Sequence, residues 1–388
     1  GMCYFSDDVL GMPPTNINGG TVVENLQRKV IAVDFLDPSE DPTDMNEWDT
    51  QNHGTHVAGI LAGDNAATPL EHDDGDGHAP GAKLVIQDAG YAADNCGDLP
   101  GLGCPVTDLV PIFQQAYDQG ARTHNNSWND NENAAVQNIY TDASEDVDEF
   151  IWNHPDFTIF FGAGNATFGG GGSTIGSPGT AKNGISVGSA YYAPYSDVMA
   201  DFSSWGPTDD GRYKPDVIFP GQGIDSAAND MNAGSANCNT RSMGGTSMAS
   251  PGAAGMSLLI RDYFEQGFYP TGGPVPADSM TVSGALVKAM LINSGVSLNH
   301  DNDGNAITLP DYSQGWGRIL LDNVLHFAGD GRGLFVDDHT AGFVSPSDAP
   351  VRYQMEVLNS DAPFKVSLVW NDYPSTPAAT THLLNDLD

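Results

Sequence analysis

Through the first three hundred residues, apolar runs of strand length alternate with longer segments patterned for helices. The runs at 29–35 (KVIAVDF), 83–87 (KLVIQ), 157–165 (FTIFFGAGN) and 183–190 (NGISVGSA) read as strands. The segments 53–62, 107–121, 247–264 and 283–295 read as helices, the second starting at Thr107 or Asp108 and stopping at Gly120. Alternation of this kind implies an α/β fold, a mainly parallel sheet with helices on both faces. Functional groups in such sheets gather at the carboxyl ends of the strands. After about residue 330 the texture changes. YQMEVLNSDAPFKVSLVWNDYP alternates without a helical period, which reads as antiparallel β. The expected organisation is a first domain over 1–330 and the incomplete start of a β-sandwich over 331–388.

Charge excludes several partners. Against 51 Asp and Glu stand 14 Lys and Arg, a formal charge of −37, so nucleic acid and anionic membrane surfaces would be repelled. No apolar run is long or clean enough to span a bilayer. Acidity spread along the chain fits a secreted protein, a calcium binder or a salt-adapted host. The four cysteines, Cys3, Cys96, Cys104 and Cys238, include no CxxC pair, which argues against zinc and thioredoxin-type chemistry. Cys96 and Cys104 bracket a loop that a disulfide could close, and bridging fits an extracellular, monomeric protein.

Two stretches carry chemistry. QNHGTHVAGI, at 51–60, places His53 and His56 nearly on one face at the start of a helix. A zinc site would want a further ligand such as the glutamate of HExxH, which is missing, so His56 reads as a packed, hydrogen-bonded core histidine. MGGTSMASPGAAG, at 243–255, opens another helix on Ser247. Small neighbours let the chain turn sharply there, and the helix N-terminus adds positive potential where an oxyanion would form.

Together, HGTHVAG around His53 and GTSMASP around Ser247 resemble the signatures of the subtilisin-type serine peptidases. FFGAGN, GSPGTAKNGISVGSA, FSSWGPTDDGRYKPDVIFPG and HNNSW are similar to that family's intervening segments over roughly 25–325. QGWGRILLDNVL and VSLVWNDYP resemble the large bacterial subtilisins that carry a C-terminal β-sandwich. The resemblance implies a secreted endopeptidase acting on polypeptides. Ser247 would be the nucleophile, His53 the general base, and Asn165 with the Ser247 amide the oxyanion donors. Substrate would lie as an extended strand against Asn126, Ser127 and Trp128 and against Gly162, Ala163 and Gly164. The small residues before Asn165 suggest an open primary pocket for large apolar side chains. No organic cofactor is implied. Structural calcium is, with Asp301 and Asp303 in HDNDGN as candidate ligands and a second acidic turn at His72, Asp73, Asp74 and Asp76.

One part of the pattern is missing. The family's triad aspartate precedes the histidine by about thirty residues in an Asp-Ser/Thr-Gly turn, and no such triplet precedes His53. Asp34 follows a strand but lies 19 residues before His53, with Phe35-Leu36 after it. The match places the acid just ahead of Gly1, leaving Asp34, Asp7 and Asp8 as alternatives. If so, Cys3 and Cys238 flank one site and could pair. Two rivals remain open: a catalytically incomplete module that binds extended peptides, and a lipase or esterase, against which the absence of a GxSxG elbow weighs.

Overall fold

A computed structural model of the protein describes residues 2–36, 49, 52–69, 71, 73–89, 108–130, 137–166, 173–232, 235–299, 308–340, 351–358 and 363–387. Three strands, β1 (Thr15–Ile17), β2 (Val30–Phe35) and β3 (Leu84–Asp88), form one parallel sheet in the order β1-β2-β3. Five more form a second: β4 (Thr123–Asn126), β5 (Thr158–Gly162), β6 (Ile185–Tyr191), β7 (Val217–Ala227) and β8 (Thr240–Gly244). The order is sequential; β4 to β7 run parallel and β8 returns antiparallel to β7. β3 and β4 share no ladder. They are linked through side chains, the Gln87 Oε1 and His124 Nε2 atoms lying 2.8 Å apart.

Among the described residues, five α-helices cover the strands: α1 (His53–Ala62), α2 (Val110–Asp118), α3 (Asp142–Asn153), α4 (Thr246–Glu265) and α5 (Gly284–Ser294). Period-two alternation in β5 shows how the layers form. Phe160 packs with Ala249, Ala253, Ile260 and Leu291 of α4 and α5. Its neighbours Ile159 and Phe161 pack on the other face with Phe113, Val147, Phe150 and Ile151 of α2 and α3. The strand is buried on both faces, as a central parallel strand must be. Gly120, at φ +99°, ends the α2 region, as the glycine led one to expect.

The C-terminal segment packs on this body. The Lys182 ammonium meets the Asp372 carboxylate at 2.7 Å, both side chains almost wholly buried. Asn183 exchanges hydrogen bonds with the Asp372 backbone, and the His382 ring stacks on Tyr140 at 4.3 Å. Among the described residues beyond 331 no strand forms, so the expected β-sandwich is not shown. The alternating pattern is nevertheless visible as exposed apolar side chains, Tyr353, Met355 and Val357 in one stretch and Phe364, Val366 and Leu368 in another. Strands need partners for their backbone groups.

Candidate active site

Ser247 occupies the second position of α4, after Gly245 and Thr246. That places its backbone N–H among the first amides of the helix, which have no intrahelical acceptor. The Ser247 hydroxyl donates to the Ser127 carbonyl at 3.1 Å, and the Ser127 hydroxyl donates to the Ser247 carbonyl at 2.8 Å. This reciprocal pair ties the end of β4 to the start of α4. Asn125 adds a second tie, accepting from the Ser250 hydroxyl at 2.7 Å.

Asn165 follows β5 and is exposed at the same place. Its Oδ1 accepts from the Thr246 backbone N–H at 2.9 Å and from the Thr246 hydroxyl at 3.1 Å. Both ends of the amide stand 3.7 Å from the point where a Cβ at Gly245 would be, and the oxygen is the end already bonded. Gly245 keeps the space in front of it open. A Cβ there would stand 3.6 Å from the Ser247 nitrogen and 3.7 Å from Asn165 Nδ2. The two amides are therefore near neighbours around one gap, an arrangement suited to holding an oxyanion.

His53 is the first residue of α1. Further along that helix, His56 is fully buried, and its Nε2 lies 3.1 Å from the Ile224 carbonyl and 3.0 Å from that of Arg241, in the β7–β8 hairpin that leads into α4. Five residues on, the Leu61 carbonyl lies 3.3 Å from where a Cβ at Gly255 would be. The two helices thus pack against each other, while the Ser247 hydroxyl itself is bonded to Ser127. His56 is the packed core histidine its spacing suggested. Burial pulls the His53 imidazole below its ordinary range, while the charge of Asp49 pulls it back up.

The other expected residues fall around this point. Asn126 is buried and donates to the Phe160 carbonyl, and Trp128 packs edge-on against Phe161 at 5.4 Å. Gly162 lies directly behind Thr246, where a Cβ would come within 3.1 Å of the threonine hydroxyl. The carbonyls of Gly162, Ala163 and Gly164 accept from Asn129, Gly176 and Ser204 respectively. Asp34 is elsewhere. It is wholly buried, its Oδ1 accepts from Asn16 and Gln119 at 2.8 Å each, and its Oδ2 has no partner. Burial raises its carboxyl above the ordinary range. Asp7 accepts the backbone amides of Val9, Leu10 and Arg28, and Asp8 is exposed.

Cys3 and Cys238 are joined in a disulfide, as the resemblance implied. The pair Cys96 and Cys104 and the residues His72, Asp301 and Asp303 lie outside the described residues. At the acidic turn, Asp73 and Asp76 accept from Asn65, from the Gly75 amide and from Asp73's own amide. Each of these oxygens accepts one N–H, and among the described residues no group of three metal-ligating side chains occurs.

A profile of the subtilase family matches residues 24–317, about three quarters of the chain. The chain belongs to the subtilase family. This subtilase is 26% identical, over its whole length, to "Serine protease/ABC transporter B family protein tagD" of Dictyostelium discoideum, but spans only 26% of that relative. It is 32% identical to the "Thermophilic serine proteinase" of Bacillus sp. strain AK1, over 61% of this chain and 48% of the other. Its fold resembles a solved mutant of the protease domain of PatA, with a TM-score of 0.51 at 18% identity, covering 80% of this chain and 93% of that one. The subtilase is therefore a subtilisin-like serine peptidase by family and fold.

Two residues of the site escaped the sequence reading. Thr246 precedes Ser247 and holds Asn165 across 81 residues of sequence. Asp49 precedes His53 by four positions; an acidic residue just ahead of a helix start is the signal that could have found it.

Proposed function

We propose that the protein is a secreted endopeptidase that cleaves peptide bonds through an acyl-enzyme on Ser247. His53 takes the hydroxyl proton as general base and returns it to the leaving amine. Charge building on the carbonyl oxygen is met by Asn165 Nδ2 and the Ser247 amide. The observation that supports the reading is the Thr246–Asn165 pair, which occupies the asparagine Oδ1 and leaves Nδ2 as the donor beside the Ser247 amide. Secretion is supported by the Cys3–Cys238 bridge, since such bonds persist in oxidising compartments. Calcium rests on Asp301 and Asp303 alone, and a monomer acting on polypeptides is the simplest working state.

A second reading is favoured by one observation. Among the described residues, neither Asp34 nor Asp7 bonds to His53, because both carboxylates are used elsewhere. Without an orienting acid the protein would bind extended peptides and not cleave them. A fluorophosphonate probe separates the two. Covalent labelling that disappears in Ser247→Ala and His53→Ala supports the peptidase. An unlabelled Ser247 in folded protein supports the binding module.

A further inference from the structure

We propose that Asp49 is a positioning residue for His53, fixing the first turn of α1 and setting a negative charge beside the imidazole. The inference rests on the peptidase reading and deepens it.

The geometry begins with the helix start. Asn52 stands at the N-cap position of α1, yet its side chain makes no capping bond. The capping acceptor comes from three residues earlier. Asp49 Oδ2 accepts from the Thr55 amide, the third of the helix, at 2.6 Å. A carboxylate at a helix N-terminus satisfies an orphan amide and complements the helix dipole. Asp49 also accepts through its own carbonyl, from the Asn52 amide at 3.1 Å and from Asn229 Nδ2 at 3.4 Å. The loop is thus held both from within and from the segment after β7.

The backbone bears the mark of this arrangement. Asp49 has φ +40° and Asn52 φ +63°, both in the left-handed region that non-glycine residues enter uncommonly. Such conformations persist where the surroundings over-determine them, often at functional sites. Here the Asp49 carboxylate covers the helix end. The Asp49 carboxylate lies 3.9 Å from the point where a Cβ at Gly54 would be, between the two residues it serves.

No other described charge is placed to do the same. On the elements packed against α1, Asp225 of β7 and Arg241 of β8 are exposed, and Asp230 lies beyond β7. Arg261, Asp262 and Glu265 sit at the far end of α4. His56 is buried and held low by desolvation. Asp49 is the carboxylate whose charge acts on His53, opposing the effect of its burial. During proton transfer from Ser247, the imidazole becomes a cation, and a fixed anion beside it lowers the cost of that charge.

Asp49→Asn tests the charge alone, because the asparagine oxygen can still accept from Thr55. Asp49→Ala removes both charge and cap. The readouts are the NMR titration of the His53 ring and the pH profile of fluorophosphonate labelling. In Asp49→Asn the His53 midpoint should fall by roughly half a unit to one unit, the acid limb of labelling should shift with it, and the melting temperature should hold. In Asp49→Ala the melting temperature should also drop. Titration curves of Asp49→Asn and wild type that superimpose would overturn the proposal. Because the titration needs no turnover, it decides the point even if Ser247 proves inert, an outcome that would sink the peptidase reading separately.

Discussion

Asn165 and Thr246 form a two-bond clasp: the threonine amide and hydroxyl both donate to the asparagine Oδ1. The clasp occupies the oxygen end of the side-chain amide and leaves the nitrogen as its donor. Replacing Asn165 with Ala should lower peptidase turnover by about 10²–10³, the range seen when an oxyanion donor is removed from a subtilisin. Thr246→Val removes only the hydroxyl and keeps the backbone donor, so its loss should be nearer fivefold, about 1 kcal/mol. Steady-state kinetics should show both effects in kcat more than in KM. An effect confined to KM would mean that Asn165 binds substrate and not the transition state.

The pH dependence follows from His53. Burial holds its imidazole below the ordinary value, so the neutral, proton-accepting form persists into mildly acidic solution. Labelling of Ser247 should rise with pH to a plateau, with a midpoint below about 6.5. A midpoint above that value would show that an anion outweighs the burial.

Asp34 offers a stability test with the opposite sign to a typical acid. Its folded-state carboxyl titrates above the unfolded one, because burial disfavours the charge. Between those two values the folded protein holds more protons, so stability falls as pH rises through the window. Asparagine carries no such charge penalty, and its Oδ1 can still accept from Asn16 and Gln119. Asp34→Asn should be as stable as wild type or more so at pH 7, by about 1 kcal/mol. The gain should vanish in acid, and Ser247 labelling should be unchanged. Loss of labelling in a folded Asp34→Asn protein would restore Asp34 as the triad acid.

The Cys3–Cys238 disulfide closes a loop with a sequence separation of 235. Chain-entropy arguments put the stabilisation at no more than ~5 kcal/mol for a loop of this size. Denaturant unfolding of the Cys3→Ser, Cys238→Ser double variant should show a lower midpoint. The segment around Met2 to Ser6 should become more accessible to protease, because Cys3 also donates its amide to the Asn237 carbonyl. An unchanged midpoint would remove the bridge from the account of stability.

Much of this was legible in the sequence where a local pattern decides the structure. β2, β3, β5, β6, α1, α4 and α5 fall close to their expected positions because apolar runs and helical periods specify them directly. The helix α3 was not legible. Its sequence is heavily acidic, and only Val147, Phe150 and Ile151 mark the buried stripe. His53 and Ser247 were readable as motifs, whereas the clasp between Asn165 and Thr246 depends on a contact that only the folded sheet creates. The alternation around Phe364, Val366 and Leu368 is plain in the sequence, but alternation becomes a strand only when a partner backbone meets it.

The packing of Lys182 on Asp372 bears on where this polypeptide can be cut. The change of texture near residue 330 looks like a seam, and a shortened version for expression would naturally stop there. Such a cut would strip the buried ammonium of its counter-charge and leave Asn183 and the Tyr140 ring facing water. Uncovered, the ammonium would be hydrated, so the loss is that of the whole buried contact, the ion pair together with the Asn183 bonds and the Tyr140–His382 stack. The smallest piece that keeps the peptidase body intact therefore reaches at least Asn385, whose amide and side chain complete the shell around Asp372.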